Sequence, residues 1–167
     1  LMVEASASAG FPMAVADCHY FGWNGLKMDD KKAFDEFVKI EKDTNGYHYA
    51  QYLIGECYHY GLGTKKDVIK AVEWYTKSTG QRNSVAMKSL AFCYNFGVGV
   101  DQDKTKAFEL YEKSALLGNS TAMFNVGLFY ENGVGVTRNL NKAKEWFTKA
   151  AAQCYDDAQT KLDKLNA

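Results

Sequence analysis

Apolar and small residues recur along this chain with a long period as well as a short one. Ala14, Ala50, Ala86, Ala122 and Ala158 stand 36 residues apart. Ile54, Leu90 or Val126 follows the alanine by four positions, and Tyr58, Tyr94 or Tyr130 by four more. Spacing of i, i+4, i+8 puts these residues on one face of a helix. A second segment opens at Asp67, Asp103 or Asn139, residue types whose side chains accept hydrogen bonds from the N–H groups of a first helical turn. Ala71, Ala107 and Ala143 come four residues later, and Tyr75, Tyr111 and Phe147 four after those, which predicts a second amphipathic helix. Its opposite face carries Lys70, Glu73 and Lys77, or Lys106, Glu109 and Lys113, and reads as solvated.

Between the two segments stand Gly61 and Gly63, Gly97 and Gly99, and Gly133 and Gly135. Such a pair lets the backbone take positive φ and reverse within a few residues, so the two helices are expected to run antiparallel. Phosphate-cradling glycine loops have a strand before the glycines; here a helix precedes them. A period of this size is the signature of stacked helical hairpins that bury their apolar stripes only against neighbours.

The first copy is looser. Asp17 to Gly22 resembles Glu56 to Gly61 at an offset of 39, while Asp29 and Ala33 match Asp67 and Ala71 at 38. Glu4, Ser6, Ala7, Gly10 and Ala14 match Glu112, Ser114, Ala115, Gly118 and Ala122 at 108, three periods. The chain is therefore expected to open inside a second helix and, beginning with Leu, to be a piece of a longer array. One repeat domain over 1–167 is expected, with the end of a helix at 1–10, repeats at 11–46, 47–82, 83–118 and 119–154, and a polar capping helix at 155–167.

Composition narrows the function more than the fold. Twenty Lys and Arg balance twenty Asp and Glu, and no basic cluster is large enough to attract a phosphate backbone or an anionic lipid surface. No apolar run approaches the roughly 18 residues of a membrane span. Nucleic acid and membrane insertion are not expected, and the single proline leaves no candidate linker. Cys18, Cys57 and Cys93 recur at one helix position, with His19 and His59 nearby. Equivalent atoms on neighbouring hairpins lie about 9–10 Å apart, beyond disulfide or metal-ligand reach, so these cysteines read as small buried hydrophobes. With Cys154, four reduced thiols and a cytosolic setting are expected. His19, His48 and His59 have no evident nucleophile and orienting carboxylate, so no catalytic residue, cofactor or metal ligand is assigned.

The pattern A-x3-[LIV]-[GA]-x2-Y-x2-G-x-G-V-x5-KA-x3-[YF]-x-K-[SA] resembles the Sel-one-like repeat (SLR) family, relatives of tetratricopeptide repeats. Three copies match fully and a first with insertions and deletions. The resemblance implies an all-α fold, a right-handed α-solenoid superhelix of antiparallel helix pairs with first helices on the concave face. It implies an adaptor that binds a protein or peptide, and specifies no catalytic residue.

The second face of each first helix is unusual. Around Ala50 it carries Tyr49, Tyr52, Glu56, His59 and Tyr60; the next carries Lys88, Phe92, Asn95 and Phe96; the next Phe124, Asn125, Leu128 and Glu131. A solvated face would be dominated by charge. Aromatic rings offer large contact area with few rotors to freeze, which points to a binding groove; the alternative is that some rings pack between adjacent repeats. Lys88, Asn125 and Lys161 also resemble the carboxylate clamp of peptide-binding tetratricopeptide relatives, although Phe92 and Asp157 depart from that pattern. The expected function is a monomeric, non-enzymatic adaptor. A weak hydrolase such as some relatives resemble, a metal-binding domain, and a structural spacer stand as alternatives.

Overall fold

A computed structural model describes residues 29–166. The expectations for 1–28, including the helix end at 1–10, Ala14, Cys18 and His19, lie outside the described residues. Those residues form eight helices and no strand: α1 (Asp30–Asp43), α2 (His48–Tyr60), α3 (Val68–Thr79), α4 (Ser84–Phe96), α5 (Lys104–Leu116), α6 (Ser120–Asn132), α7 (Leu140–Ala151) and α8 (Asp156–Asn166). The chain divides into two compact units between Gln81 and Arg82, one residue before the repeat boundary at 82/83. In the first unit α1 packs on α2 and α2 on α3; in the second, α4 to α8 pack each on the next.

The predicted caps start the second helices. Asp67, Asp103 and Asn139 accept from the N–H groups of Lys70, Lys106 and Lys142 at 3.1, 2.9 and 3.0 Å, and Asp29 caps α1 through Lys32 at 2.9 Å. Asn83 and Asn119 do the same for α4 and α6, whereas Tyr47, at the N-cap of α2, gives no side-chain cap. Ala33, Ala50, Ala71, Ala86, Ala107, Ala122, Ala143 and Ala158 are wholly buried, together with Ile54 and Val126. Alanine at these crossings lets helix axes approach closely while the rings of Phe37, Tyr75 and Phe147 fill the space beside them.

The two glycines of each turn have different tasks. Gly61, Gly97 and Gly133 are left-handed C-caps, with φ of 78°, 69° and 66°, and each N–H returns to the carbonyl of Cys57, Cys93 or Phe129. Gly63 and Gly135 serve instead for close approach. A Cβ on Gly63 would run into the Asp30 carbonyl at the start of α1, and one on Gly135 into the Lys104 carbonyl at the start of α5. Each seats its turn on the second helix of the preceding repeat, so it is a stacking residue.

A third left-handed position ends every repeat: Gly46, Arg82, Gly118 and Cys154 have φ of 99°, 60°, 92° and 59°. Within each of two repeats a buried serine ties the hairpin shut. Ser78 Oγ donates to the His48 carbonyl at 2.5 Å, and Ser114 Oγ to the Ser84 carbonyl at 2.6 Å. Ala150 takes the corresponding place in α7.

Candidate functional site

The second face of the first helices is built differently in the two units. In the first unit it is a connected aromatic and polar cluster on α2 and α3. The Tyr52 ring stacks on Tyr75 with centroids 6.2 Å apart and planes at 30°, and Tyr49 lies 6.1 Å from Tyr52. Tyr75, only 1 % exposed, passes its hydroxyl outward to donate to Glu56 Oε1 at 2.5 Å. His59 sits 6.3 Å from the Tyr75 ring and 4.7 Å from Tyr60, which is 62 % exposed. Burial pushes the His59 imidazole below its ordinary value of 6.5; Lys66 adds to that effect and Glu56 opposes it.

Tyr49 and Tyr52 are half-buried against the core of Ala33, Phe37, Leu53 and Ile54. The surface they offer is therefore a rigid edge, oriented by packing. Tyr75 falls on the apolar stripe of the second segment, which accounts for its buried ring. Its hydroxyl is the part that sequence pattern missed, and the signal was present: Tyr75 and Tyr111 carry a hydroxyl where Phe147 has none.

In the second unit, α4 presents Phe92 and Phe96, 42 % and 59 % exposed, with ring centroids 4.7 Å apart. The other face of α4 buries Ala86, Leu90, Ala91 and Cys93. Lys104 at the start of α5 lies with its Nζ 5.5 Å from the centre of the Phe96 ring and donates to the Asn95 carbonyl at 2.6 Å and to Asn95 Oδ1 at 2.9 Å. On α6 the picture changes. Phe124 is half-buried between Phe147 and Tyr155, 5.4 and 5.0 Å from their centroids, and Leu128 packs on the same core. Here the packing alternative for these rings is the better description, because Tyr155 before α8 supplies a partner.

Several polar groups expected to read a ligand already hold intramolecular bonds. Asn125 Nδ2 donates to the Thr121 carbonyl at 2.8 Å, and Lys161 pairs with Glu131 at 2.8 Å, which leaves two of the three suggested clamp residues engaged. Lys88 is half-buried on α4. Cys57 and Cys93 are wholly buried thiols, while Cys154 is an exposed one. Burial above all, with Asp30 and Glu56 adding, pushes the Cys57 thiol up to about 12, so it is held neutral. Among the described residues no group of three or more His, Cys, Asp or Glu is arranged to hold a metal ion, and no helix is long and apolar enough to cross a membrane.

The family model of the Sel1 repeat matches residues 13–35, 48–81, 84–119 and 120–153, most of the chain. The chain belongs to the Sel1 repeat family. Its similarity to solved Sel1 structures extends over nearly its whole length. A Sel1 repeat protein from Oxalobacter formigenes is 30% identical with a TM-score of 0.84, covering 93% of this chain and 64% of that one. A protective antigen of uropathogenic Escherichia coli that displays an SLR fold is 28% identical with a TM-score of 0.82, over 96% of this chain and 34% of the other. The fold class is accordingly the all-α solenoid of paired helices. Among curated Sel1 relatives, the ERAD-associated E3 ubiquitin-protein ligase component HRD3A of Arabidopsis thaliana is 40% identical over 47 residues, 28% of this chain and 7% of that protein. The chain thus spans a small part of that relative and less than two thirds of both solved ones.

Proposed function

We propose that this chain is a non-enzymatic adaptor that holds a protein or peptide on the second face of its first helices. The observation that carries this reading is the Phe92–Phe96 pair, two rings one helical turn apart that stand 42 % and 59 % exposed on a helix whose other face is buried. Exposed apolar surface on a helix of this kind marks an interaction site. Rings set by helix packing lose little conformational entropy on binding. Tyr60 and the edge of Tyr52 supply the same character on α2. The plant relative, a component of a ubiquitin-ligase assembly by name, supports a role in holding proteins together. A cytosolic setting with reduced thiols fits the separate burial of Cys57 and Cys93.

The test compares partner capture by the wild type and by Phe92→Ser/Phe96→Ser, with circular dichroism to establish folding. Both rings are exposed, so the variant is expected to keep its helicity and to lose the partners that the wild type retains. Retention of the same partners by the folded variant would overturn the reading.

A further inference from the structure

The turn from α2 to α3 departs from its counterparts at several positions, and these departures meet at one place. Its residues line an open cavity of about 600 Å³, formed by Tyr58, Lys65, Lys66, Asp67, Ile69 and Lys70 among others. At the positions of Lys65 and Lys66 the next repeats carry Asp101 and Gln102, then Thr137 and Arg138. At the position of Ile69 they carry Thr105 and Asn141. The repeat architecture therefore requires neither the two lysines nor the isoleucine.

The neighbouring repeats show what the Lys66 position does elsewhere. Gln102 Nε2 donates to the Asn95 carbonyl at 2.8 Å, and Arg138 Nε to the Glu131 carbonyl at 2.9 Å, each closing the end of the preceding helix. The corresponding carbonyl here belongs to His59, and Lys66 makes no such bond. Among the described residues the ion pairs are Lys31–Asp35, Lys70–Asp67 and Lys161–Glu131, so Lys65 and Lys66 enter none. Among the described residues Asp67 is the single carboxylate lining the cavity. It is occupied in accepting from the Lys70 N–H at 3.1 Å and in pairing with Lys70 Nζ at 3.6 Å. Three lysines against one aspartate leave the lining at +2 (3 − 1) in a chain whose net charge is zero. Ile69, 62 % exposed, adds an apolar contact beside the charge.

We infer that this cavity is a docking site for an acidic peptide segment of the adaptor's partner, one that presents two or more negative charges beside an apolar side chain. Lysine is a flexible point charge with rotatable donors. It suits clustered carboxylates and phosphorylated side chains alike, since both present oxygen acceptors for charge-assisted hydrogen bonds. Lys65 and Lys66 would meet the acids and Ile69 the apolar residue, while Lys70 remains above the Tyr58 ring, 5.3 Å from its centre. The inference rests on the adaptor reading and adds to it the chemistry of one contact, made by residues other than the α4 rings.

Fluorescence anisotropy with short labelled peptides tests it. The probes are an Asp/Glu-rich peptide containing one leucine, its phosphoserine counterpart, and an Asn/Gln version of equal length. The full chain is expected to bind the two acidic probes and not the neutral one, with affinity falling as salt rises, because exposed charges are screened over about 10 Å at 0.1 M. Lys65→Ser/Lys66→Ser should weaken the acidic probes by about tenfold or more, while the control Lys39→Ser/Lys42→Ser, which removes equal charge from exposed positions of α1, should leave them unchanged. Preference for the phosphoserine probe or for the carboxylate probe would name the source of the charge, and either supports the site. Equal loss in both lysine variants, or none in the first, would overturn it. If acidic probes were lost in Phe92→Ser/Phe96→Ser but kept in Lys65→Ser/Lys66→Ser, the cavity would be excluded while the adaptor reading stood.

Discussion

Replacing Gly127 by alanine sets helix propensity against helix packing, and the two act with opposite signs. Gly127 lies inside α6, where alanine is favoured over glycine by about 1 kcal/mol on propensity alone. A Cβ there would stand 2.5 Å from Phe147 Cε1, 2.6 Å from Cδ1 and 3.0 Å from Cζ. Carbon atoms in favourable contact are about 3.5–4.0 Å apart, so the ring or the helix must yield by roughly 1 Å. Phe147 is wholly buried and has Phe124 against it at 5.4 Å, which leaves the ring little room. Overpacking of this kind costs about 1–3 kcal/mol, and after the propensity gain of about 1 kcal/mol the net expectation is destabilisation of up to about 2 kcal/mol. For a chain of this size that lowers Tm by up to about 8 °C. Thermal and urea unfolding followed by circular dichroism would measure it. Gly127→Ala/Phe147→Leu should recover part of the loss, because the smaller side chain vacates the space. A rise in Tm for Gly127→Ala would refute the reasoning and show that propensity governs this crossing. Ala91, opposite Tyr111, occupies the same register in the α4–α5 hairpin, so Ala91→Gly should cost about 1 kcal/mol with no packing gain.

Gly135→Ala combines a φ of 63° with a collision against backbone at Lys104. Since no side chain can rotate away, a loss of at least about 2 kcal/mol is expected in urea unfolding, and an unchanged midpoint would contradict the seating of that turn on α5. Cys154→Gly should be stabilising by several tenths of a kcal/mol or more, as the residue sits at φ 59° where Gly118 serves the preceding repeat; the αL penalty of about 1–2 kcal/mol exceeds the gain in unfolded-chain freedom. In a Cys18→Ser background, a thiol reagent at pH 8 should modify Cys154 quickly and reach Cys57 and Cys93 only on unfolding, because those two are wholly buried and Cys57 titrates near 12. His59 has a folded pKa below its unfolded value near 6.5, so folding favours the neutral ring. Its contribution is present above pH 6.5 and is lost as pH falls through that value toward the folded pKa. Between pH 7 and 5.5 the Tm of wild type should therefore fall more than that of His59→Gln, and parallel profiles would remove the effect.

The periodic part of this protein was legible in its sequence because it rests on interactions of short range. Asp67, Asp103 and Asn139 cap the helix that follows them, Gly61, Gly97 and Gly133 end the helix before them, and the buried alanines face whatever lies opposite; each depends on residues within a turn or on a strict spacing. Sel1 membership and the helix order follow from that repetition. The division of the second face into exposed and covered rings did not. Phe92 and Phe124 lie on the same face of the first helix of their repeats, one turn apart in register, yet Phe92 stands out from α4 while Phe124 is covered by Tyr155. Sequence pattern records which residues share a helix face, but not which neighbouring side chain arrives to cover them. The same holds for the Tyr75 hydroxyl that reaches Glu56 and for the glycines that admit Phe147 and the Lys104 carbonyl. Local hydrogen bonding and helical period are set along the chain, whereas exposure and close approach are set by contacts between residues 19 or more positions apart, and only the packed structure decides those.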